Sequence, residues 1–273
     1  MSATQLLIEE LNAPYPLTKK QRSFYAENGY IKLRQVLPAE LLEHYRGFIS
    51  AKVAELTVEK LPLDQRSTYD KAFLQVGNLW LKSEEVREFV LGKRLARIAA
   101  ELMGCSGVRL YHDQALYKEP GGGFTPWHAD QYYWPVSSNN VVTAWVPLQD
   151  TPLEMGPLAF CEKSHRFQHG RDLEIGDESE ITLKQALEKF AKNNSPFSLG
   201  DVSFHSGWTF HRAEANTSSN AREVMTIIYM DEEMRLAEPK NKNQIIDMEA
   251  FCPGVPIGEI IDSHMTPVIY SRK

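Results

Sequence analysis

Residues 200–211 read Gly200-Asp201-Val202-Ser203-Phe204-His205-Ser206-Gly207-Trp208-Thr209-Phe210-His211. Gly200-Asp201 opens a turn, Val202–His205 has strand composition, Gly207 permits a tight reversal, and Thr209–Arg212 resumes as a second strand that carries His211 inward. Short strands of this kind recur after Gly104: Val108–Lys118, Val141–Leu148, Leu158–Cys161 and Glu223–Met230. Clusters such as Pro120-Gly121-Gly122-Gly123 and Ser137–Asn140 separate them. One helix is expected among the strands, Leu183–Lys192, with Thr182 and Gln185 as a capping box. The polar stretch Glu162–Glu180 contains Gly170 and Gly176 and reads as a mobile lid or rim.

Before Gly104 the pattern is helical. Thr18 caps an expected helix Lys19–Asn28 that Gly29 ends, and Tyr30–Arg34 follows as a short strand. Pro38 suits the first position of a helix running to about Lys60. Ser83 opens another near Glu85–Leu91, and Lys93–Met103 continues with Leu95, Ile98, Ala99 and Leu102 on one face. Helices packed outside many short antiparallel strands predict a mostly-β fold with flanking helices and a jelly-roll, cupin-like core, a double-stranded β-helix. The expected organisation is one domain, 1–273. It has a helical part to about 104, a core over about 105–235 and a C-terminal extension over 236–273.

Composition narrows the function. The chain has 273 residues, 42% apolar, with a formal net charge of -6. No basic run interleaves with aromatics, which argues against nucleic acid. No apolar stretch approaches the roughly 20 residues of a membrane span, and the acidic N-terminus lacks a signal peptide's basic region. Three scattered cysteines, Cys105, Cys161 and Cys252, read as reduced cytoplasmic thiols. The expected partner is a small molecule, and the oligomeric state is left open.

The chemistry starts at His128-Ala129-Asp130, where a histidine is followed two residues later by an acid. On extended backbone both side chains point to one face. They make two-thirds of a 2-His-1-carboxylate triad, which holds Fe(II) and leaves coordination positions open. The candidates for the second histidine are His165, His169, His205, His211 and His264. His211 is preferred for its place on the second strand of the opening stretch. His205 reads as a polar strand residue near the surface, and His165 and His169 as solvated loop residues or rim contacts. His44, His112 and His264 have no partner at ligand spacing and receive no role. Arg222, eleven residues past His211, could return beside the site and meet a buried carboxylate with two parallel charge-assisted bonds. Tyr132, Tyr133, Trp134, Trp208 and Phe210 flank these residues and could line an apolar pocket or simply fill the core.

Several segments resemble, in order, the phytanoyl-CoA dioxygenase family of Fe(II)/2-oxoglutarate oxygenases. They are Leu17–Gln21 through Asn28-Gly29-Tyr30, Lys118-Glu119-Pro120 before His128-Ala129-Asp130, Met155-Gly156-Pro157-Leu158 with Lys163-Ser164-His165-Arg166, and Gly200-Asp201 through His211, Asn216 and Arg222. The resemblance implies that His128, Asp130 and His211 bind Fe(II) and that Arg222 clamps the distal carboxylate of 2-oxoglutarate. Gln114 and Trp145 would line the cosubstrate pocket. It also implies that 2-oxoglutarate and O2 are consumed, that succinate and CO2 leave, and that an unactivated C–H bond is oxidised. Related halogenases have a small residue at the position of Asp130, so the carboxylate points to hydroxylation, or to desaturation or epimerisation. The sequence departs from the family pattern at Arg212, at Ala213, where the family often has serine, and at Glu162-Lys163. No basic patch suits a CoA phosphate tail, so a small to medium, partly apolar metabolite is expected. Two other readings are a non-catalytic jelly-roll binding protein and a cupin-like isomerase or hydrolase using Zn or Mn. The latter leaves Arg222 without a task.

Overall fold

The computed structural model describes residues 2–57 and 61–273. The N-terminal part comprises α1 (Ala3–Asn12), α2 (Lys19–Asn28), β1 (Tyr30–Leu33), α3 (Ala39–Leu56), α4 (Thr68–Ala72), β2 (Leu74–Gly77), α5 (Glu84–Val90) and α6 (Lys93–Met103). After Gly104 come β3 (Gly107–Tyr117), β4 (Thr125–His128), β5 (Val141–Pro147), β6 (Leu158–Cys161), α7 (Asp177–Ala186) and β7 (Lys192–Asn194). The chain ends with β8 (Val202–Ser206), β9 (His211–Ala213), β10 (Val224–Asp231), α8 (Lys242–Phe251) and β11 (Val268–Ser271).

Local chemistry accounts for most boundaries. Thr18 and Gln21 cap α2 reciprocally, and Gly29 ends it with φ 80, a left-handed conformation that costs glycine little. Helix α6 coincides with its expected span and stops at Gly104, φ 72. Pro38 lies one position earlier than predicted, as the extended N-cap of α3, and the helix ends at Leu56. The expected continuation over 58–60 lies outside the described residues.

The predicted helix Leu183–Lys192 is shifted. Helix α7 begins at Asp177, Thr182 lies within it, and Lys192 belongs to β7. Asp177, Glu178 and Glu180 occupy its first turn, where the helix dipole favours acids, and the Gly176 N–H donates to Ser179 Oγ at 3.0 Å. These N-terminal interactions start the helix ahead of the Thr182 signal.

The strands form two facing antiparallel sheets, the jelly-roll arrangement. The larger runs β1-β8-β5-β10-β3-β11, with β2 beside the far stretch of β3; the smaller runs β4-β9-β6-β7. Alternation divides the larger sheet cleanly. Ile31, Val202, Phe204, Val142, Ala144, Ile227, Tyr229 and Leu110 face the helices and form the main core with Leu41, Phe89, Leu95 and Ile98. The opposite face turns toward the smaller sheet. Across it, Tyr30, His205, Thr143, Ile228 and His112 form one continuous row of register partners. Ser203, Trp145, Thr226 and Gln114 form the next. This inner face carries polar side chains within an otherwise apolar sheet, and it builds the site. The C-terminal segment folds back onto the sheets: β11 pairs with β3, and α8 lies at one end of the intersheet space.

Candidate metal centre

His128 is the last residue of β4 and Asp130 opens a 3-10 turn; Ala129 between them is extended, with φ -128 and ψ 128. The two side chains therefore share a face across the strand end. His211, the first residue of β9, is the register partner of His128. The crossing from β8 to β9 passes from the larger sheet to the smaller one, so the two strands of the opening stretch do not pair with each other. Strand β9 starts at His211 rather than Thr209, since Thr209 and Phe210 belong to that crossing.

His128 Nε2 and His211 Nε2 each lie 3.5 Å from Asp130 Oδ1. Their ligand atoms all fall within 4.8 Å of one another. Two metal bonds of about 2.1 Å at roughly a right angle span about 3 Å, so modest tightening would seat an ion. Both rings are set for ligation. His128 Nδ1 is 2.8 Å from the Pro126 carbonyl and His211 Nδ1 is 2.9 Å from the Thr209 carbonyl. An N–H donated there places the lone pair on Nε2, toward the centre. Burial would raise the Asp130 pKa, but the His211, His128 and His205 imidazoles hold it well below the usual carboxylate range. Burial and the neighbouring imidazoles push the His211 pKa well down, leaving it a neutral ligand. The donor set fits a divalent metal with three protein ligands.

The centre lies in a cleft of about 180 Å³ that is partly open to solvent. At one end stand Arg222, Trp145, Gln114, Thr125, Leu158 and Thr226. Arg222 is brought there by a backbone bridge to Lys118 that extends the β10–β3 ladder. Its guanidinium is 1% exposed, donates to the Gly156 carbonyl, lies 5.5 Å from the Trp145 ring and leaves Nε unpartnered. Burial pulls its pKa down to about 9, so it is charged at neutral pH. Trp145 Nε1 is also an unpartnered buried donor. Lys118 is a second buried basic group, its amine directed to the Gly123 carbonyl and to Thr125 Oγ1 at 3.3 Å. Burial, then Arg222, pushes its pKa down to about 6. Among the described residues neither basic side chain has a salt-bridge partner. Gln114 also lines this end and accepts from Gln75 at 2.5 Å. An uncompensated guanidinium, a buried lysine that a nearby anion would favour in its ammonium form, and an orphan indole N–H fit a bound carboxylate.

Tyr133, Trp134, Ile175 and Asp247 complete the lining away from Arg222, and Tyr69 and Phe73 also line the cleft, with Tyr69 Oη donating to Gln75 at 2.7 Å. The stretch 162–180 reaches it through Ile175, whose N–H donates to Tyr133 Oη at 3.1 Å. Asp247, on α8, accepts from Tyr111 Oη at 2.9 Å, and burial lifts its carboxyl to about 7. A β-bulge in β3 leaves Tyr111 without a register partner on β10 beside His112. His112, given no role from sequence, lines the cleft and stacks on Phe251 at 4.5 Å; burial lowers its pKa to about 4.

His205 overturns its surface expectation. It is 1% exposed, and its Nε2 is 3.1 Å from Asp130 Oδ2. The missed sign was parity: Ser203 and His205 are polar at alternate positions of an otherwise apolar strand. His165 packs beside Gly29, while His169 and His264 are exposed, and none reaches the centre. Arg212 turns away to Glu180 and Glu214, each at 3.3 Å, so this departure from the family pattern leaves the cleft untouched. Ala213 is buried in the cluster around Trp145. Tyr133 and Trp134 line the cleft, whereas Phe210 packs with Trp127 in a separate cluster.

A family model described as phytanoyl-CoA dioxygenase (PhyH) matches residues 25–224. A probable alpha-ketoglutarate-dependent hypophosphite dioxygenase of Stutzerimonas stutzeri is 23% identical over 77% of this chain and 77% of its own length. The 2-aminoethylphosphonate dioxygenase of uncultured bacterium HF130_AEPn_1 is 24% identical over 85% and 90%. The 1-deoxypentalenic acid 11-beta-hydroxylase of Streptomyces exfoliatus is 26% identical over 72% and 74%. Among solved structures, the non-heme alpha ketoglutarate dependent carbocyclase SnoK from nogalamycin biosynthesis superposes with a TM-score of 0.78, covering 95% of this chain and 100% of that one at 24% identity.

Proposed function

The chain belongs to the phytanoyl-CoA dioxygenase family, and from that premise we propose an Fe(II)- and 2-oxoglutarate-dependent oxygenase that hydroxylates an unactivated C–H bond of a small to medium metabolite. The observation that carries this reading is the pairing of a three-ligand centre with an uncompensated buried guanidinium in one cleft. His128, Asp130 and His211 would hold Fe(II). Arg222 would take the distal carboxylate of 2-oxoglutarate, with Trp145 and Gln114 beside it. Iron bound there with 2-oxoglutarate and O2 supplies the oxidising power for the C–H bond, and succinate and CO2 are the co-products.

The chain's own residues have distinct tasks. The Pro126 and Thr209 carbonyls hold the two imidazole rings in the ligating orientation. Arg222 fixes the cosubstrate from a site water cannot share, where its charge acts at low dielectric. Tyr133, Trp134, Phe73 and Ile175 exclude water from the substrate end and hold an apolar surface against the oxidising centre. In this reading the whole chain works as one catalytic unit, its C-terminal segment completing the substrate end.

The test is an anaerobic titration with Fe(II) and then 2-oxoglutarate. The wild type is expected to develop a weak visible charge-transfer band that His211→Ala abolishes. A folded wild type that gives no band, and releases no succinate with any member of a metabolite panel, would defeat the proposal.

A further inference from the structure

His205 does not belong to the ligand triad, yet its ring lies against it. Its Nε2 faces Asp130 Oδ2 at 3.1 Å, whereas the ligating nitrogens of His128 and His211 face Oδ1. Thr143 Oγ1 donates to the same Oδ2 at 2.9 Å. The convergence is built by register: Thr143 on β5 and His205 on β8 are direct partners in the larger sheet, side by side on its inner face. The His205 ring is fixed by His211 at 4.4 Å, by Phe160 at 5.5 Å, and by complete burial. Its Nδ1 has no partner among the described residues. A hydrogen there would be a stranded donor, so the tautomer carries its hydrogen on Nε2, aimed at Oδ2.

Resting on the oxygenase reading, we propose that His205 is a positioning residue that, with Thr143, restricts Asp130 to binding the metal through Oδ1 alone. Two donors occupy Oδ2, and a carboxylate so held can neither rotate nor chelate through both oxygens. Three protein ligand atoms then remain, and the open positions suffice for a bidentate oxo-acid and O2. Without the imidazole, Asp130 has one anchor instead of two. Its second oxygen can then swing to the metal and occupy a position the cosubstrate needs. Partners that orient metal ligands in this way are typically worth about 10–100-fold in metal affinity or activity.

The experiment compares the full-length wild type with His205→Leu, His205→Gln and Thr143→Val. Folding is checked by circular dichroism. Co(II) affinity is measured by the cobalt visible spectrum, and 2-oxoglutarate affinity from the ferrous charge-transfer band. His205→Leu is expected to weaken Co(II) binding about 10–100-fold, to alter the cobalt spectrum toward higher coordination, and to weaken 2-oxoglutarate. His205→Gln, which keeps an N–H at similar reach, is expected to restore most of the loss. Wild-type affinity and spectra in His205→Leu would overturn the proposal. So would a folded His205→Gln as impaired as the leucine variant, since only ring packing would then matter. If His205→Leu fails to fold, Thr143→Val and His205→Gln decide: a shifted spectrum in the first and a near-native one in the second support the proposal, and any other pair overturns it. A wild type that binds Co(II) but gives no ferrous 2-oxoglutarate band defeats the oxygenase reading, and the cobalt data still judge His205.

Discussion

Replacing Arg222 with leucine should make the metal-free protein more stable while removing its grip on 2-oxoglutarate. The guanidinium is 1% exposed, meets the Gly156 carbonyl and the Trp145 face, and has no carboxylate partner among the described residues. Depression of its pKa to about 9 by burial corresponds to a cost of holding the charge there. At about 1.4 kcal/mol per tenfold change in proton affinity, that cost is on the order of 4–5 kcal/mol. Leucine relieves it but leaves the Gly156 carbonyl unpaired, which returns about 1–3 kcal/mol, and opens some void. A net gain of about 1–2 kcal/mol should remain. Against this, losing a buried charged partner for a carboxylate costs about 2–5 kcal/mol, or roughly 30- to 5,000-fold in 2-oxoglutarate affinity. Urea denaturation of the apo protein reads the first quantity, and titration of the ferrous charge-transfer band reads the second. A leucine variant that binds 2-oxoglutarate like the wild type would refute the assignment of Arg222. One destabilised by several kcal/mol would refute the claim that its charge is uncompensated in the apo state.

Two further outcomes follow from the buried titrating groups. Lys118, at about 6 in the apo protein, is mostly neutral at pH 7.5. A carboxylate bound nearby favours its ammonium form, so 2-oxoglutarate binding should take up a fraction of a proton approaching one and weaken as pH rises above 6. Calorimetry of the metal-loaded protein in phosphate and in Tris should show the difference, and Lys118→Met should erase it; equal heats in both buffers would contradict it. Asp247 has its folded-state pKa raised to about 7, above that of an unfolded aspartate. The folded protein therefore binds more protons than the unfolded chain between about 4 and 7, so Asp247 costs stability progressively as pH rises through that window. Asp247→Asn should gain on the wild type between pH 5 and 8 in parallel urea titrations, and a constant difference across that range would be the contrary result.

The jelly roll and the convergence of His128, Asp130 and His211 were legible because their determinants are local or strongly patterned. Gly29 and Gly104 end helices wherever the rest of the chain lies, and His128 and Asp130 are joined by one extended residue. His211 could be chosen because it lies on an expected strand, Thr209–Arg212, and Arg222 because it directly precedes another, Glu223–Met230. Residues whose roles depend on register between distant strands were not legible. His205 faces Asp130 only because β8 pairs with β5, and Lys118 meets Arg222 only through a bridge between segments a hundred residues apart. The helix shift at α7 has a different cause. Thr182 and Gln185 make a valid capping pair on paper, but the acids at 177–180 start the helix first. The strands β2, β7 and β11 span only three or four residues each, too short to show a period.

The cleft's two ends come from different kinds of backbone. The candidate metal ligands and the basic side chains behind them sit on or directly beside paired strands, held by interlocking ladders. Tyr69, Phe73, Tyr133, Ile175 and Asp247 come from short helices, turns and α8, and Asp247 lies beyond residue 224, where the family match ends. In the proposed reading, oxidising power would reside on the paired sheets, whereas the choice of molecule would fall to peripheral segments joined to them by few ladder bonds. An engineer wishing to retarget this catalyst should graft at 68–73, 170–176 and 242–251 and leave the sheets alone.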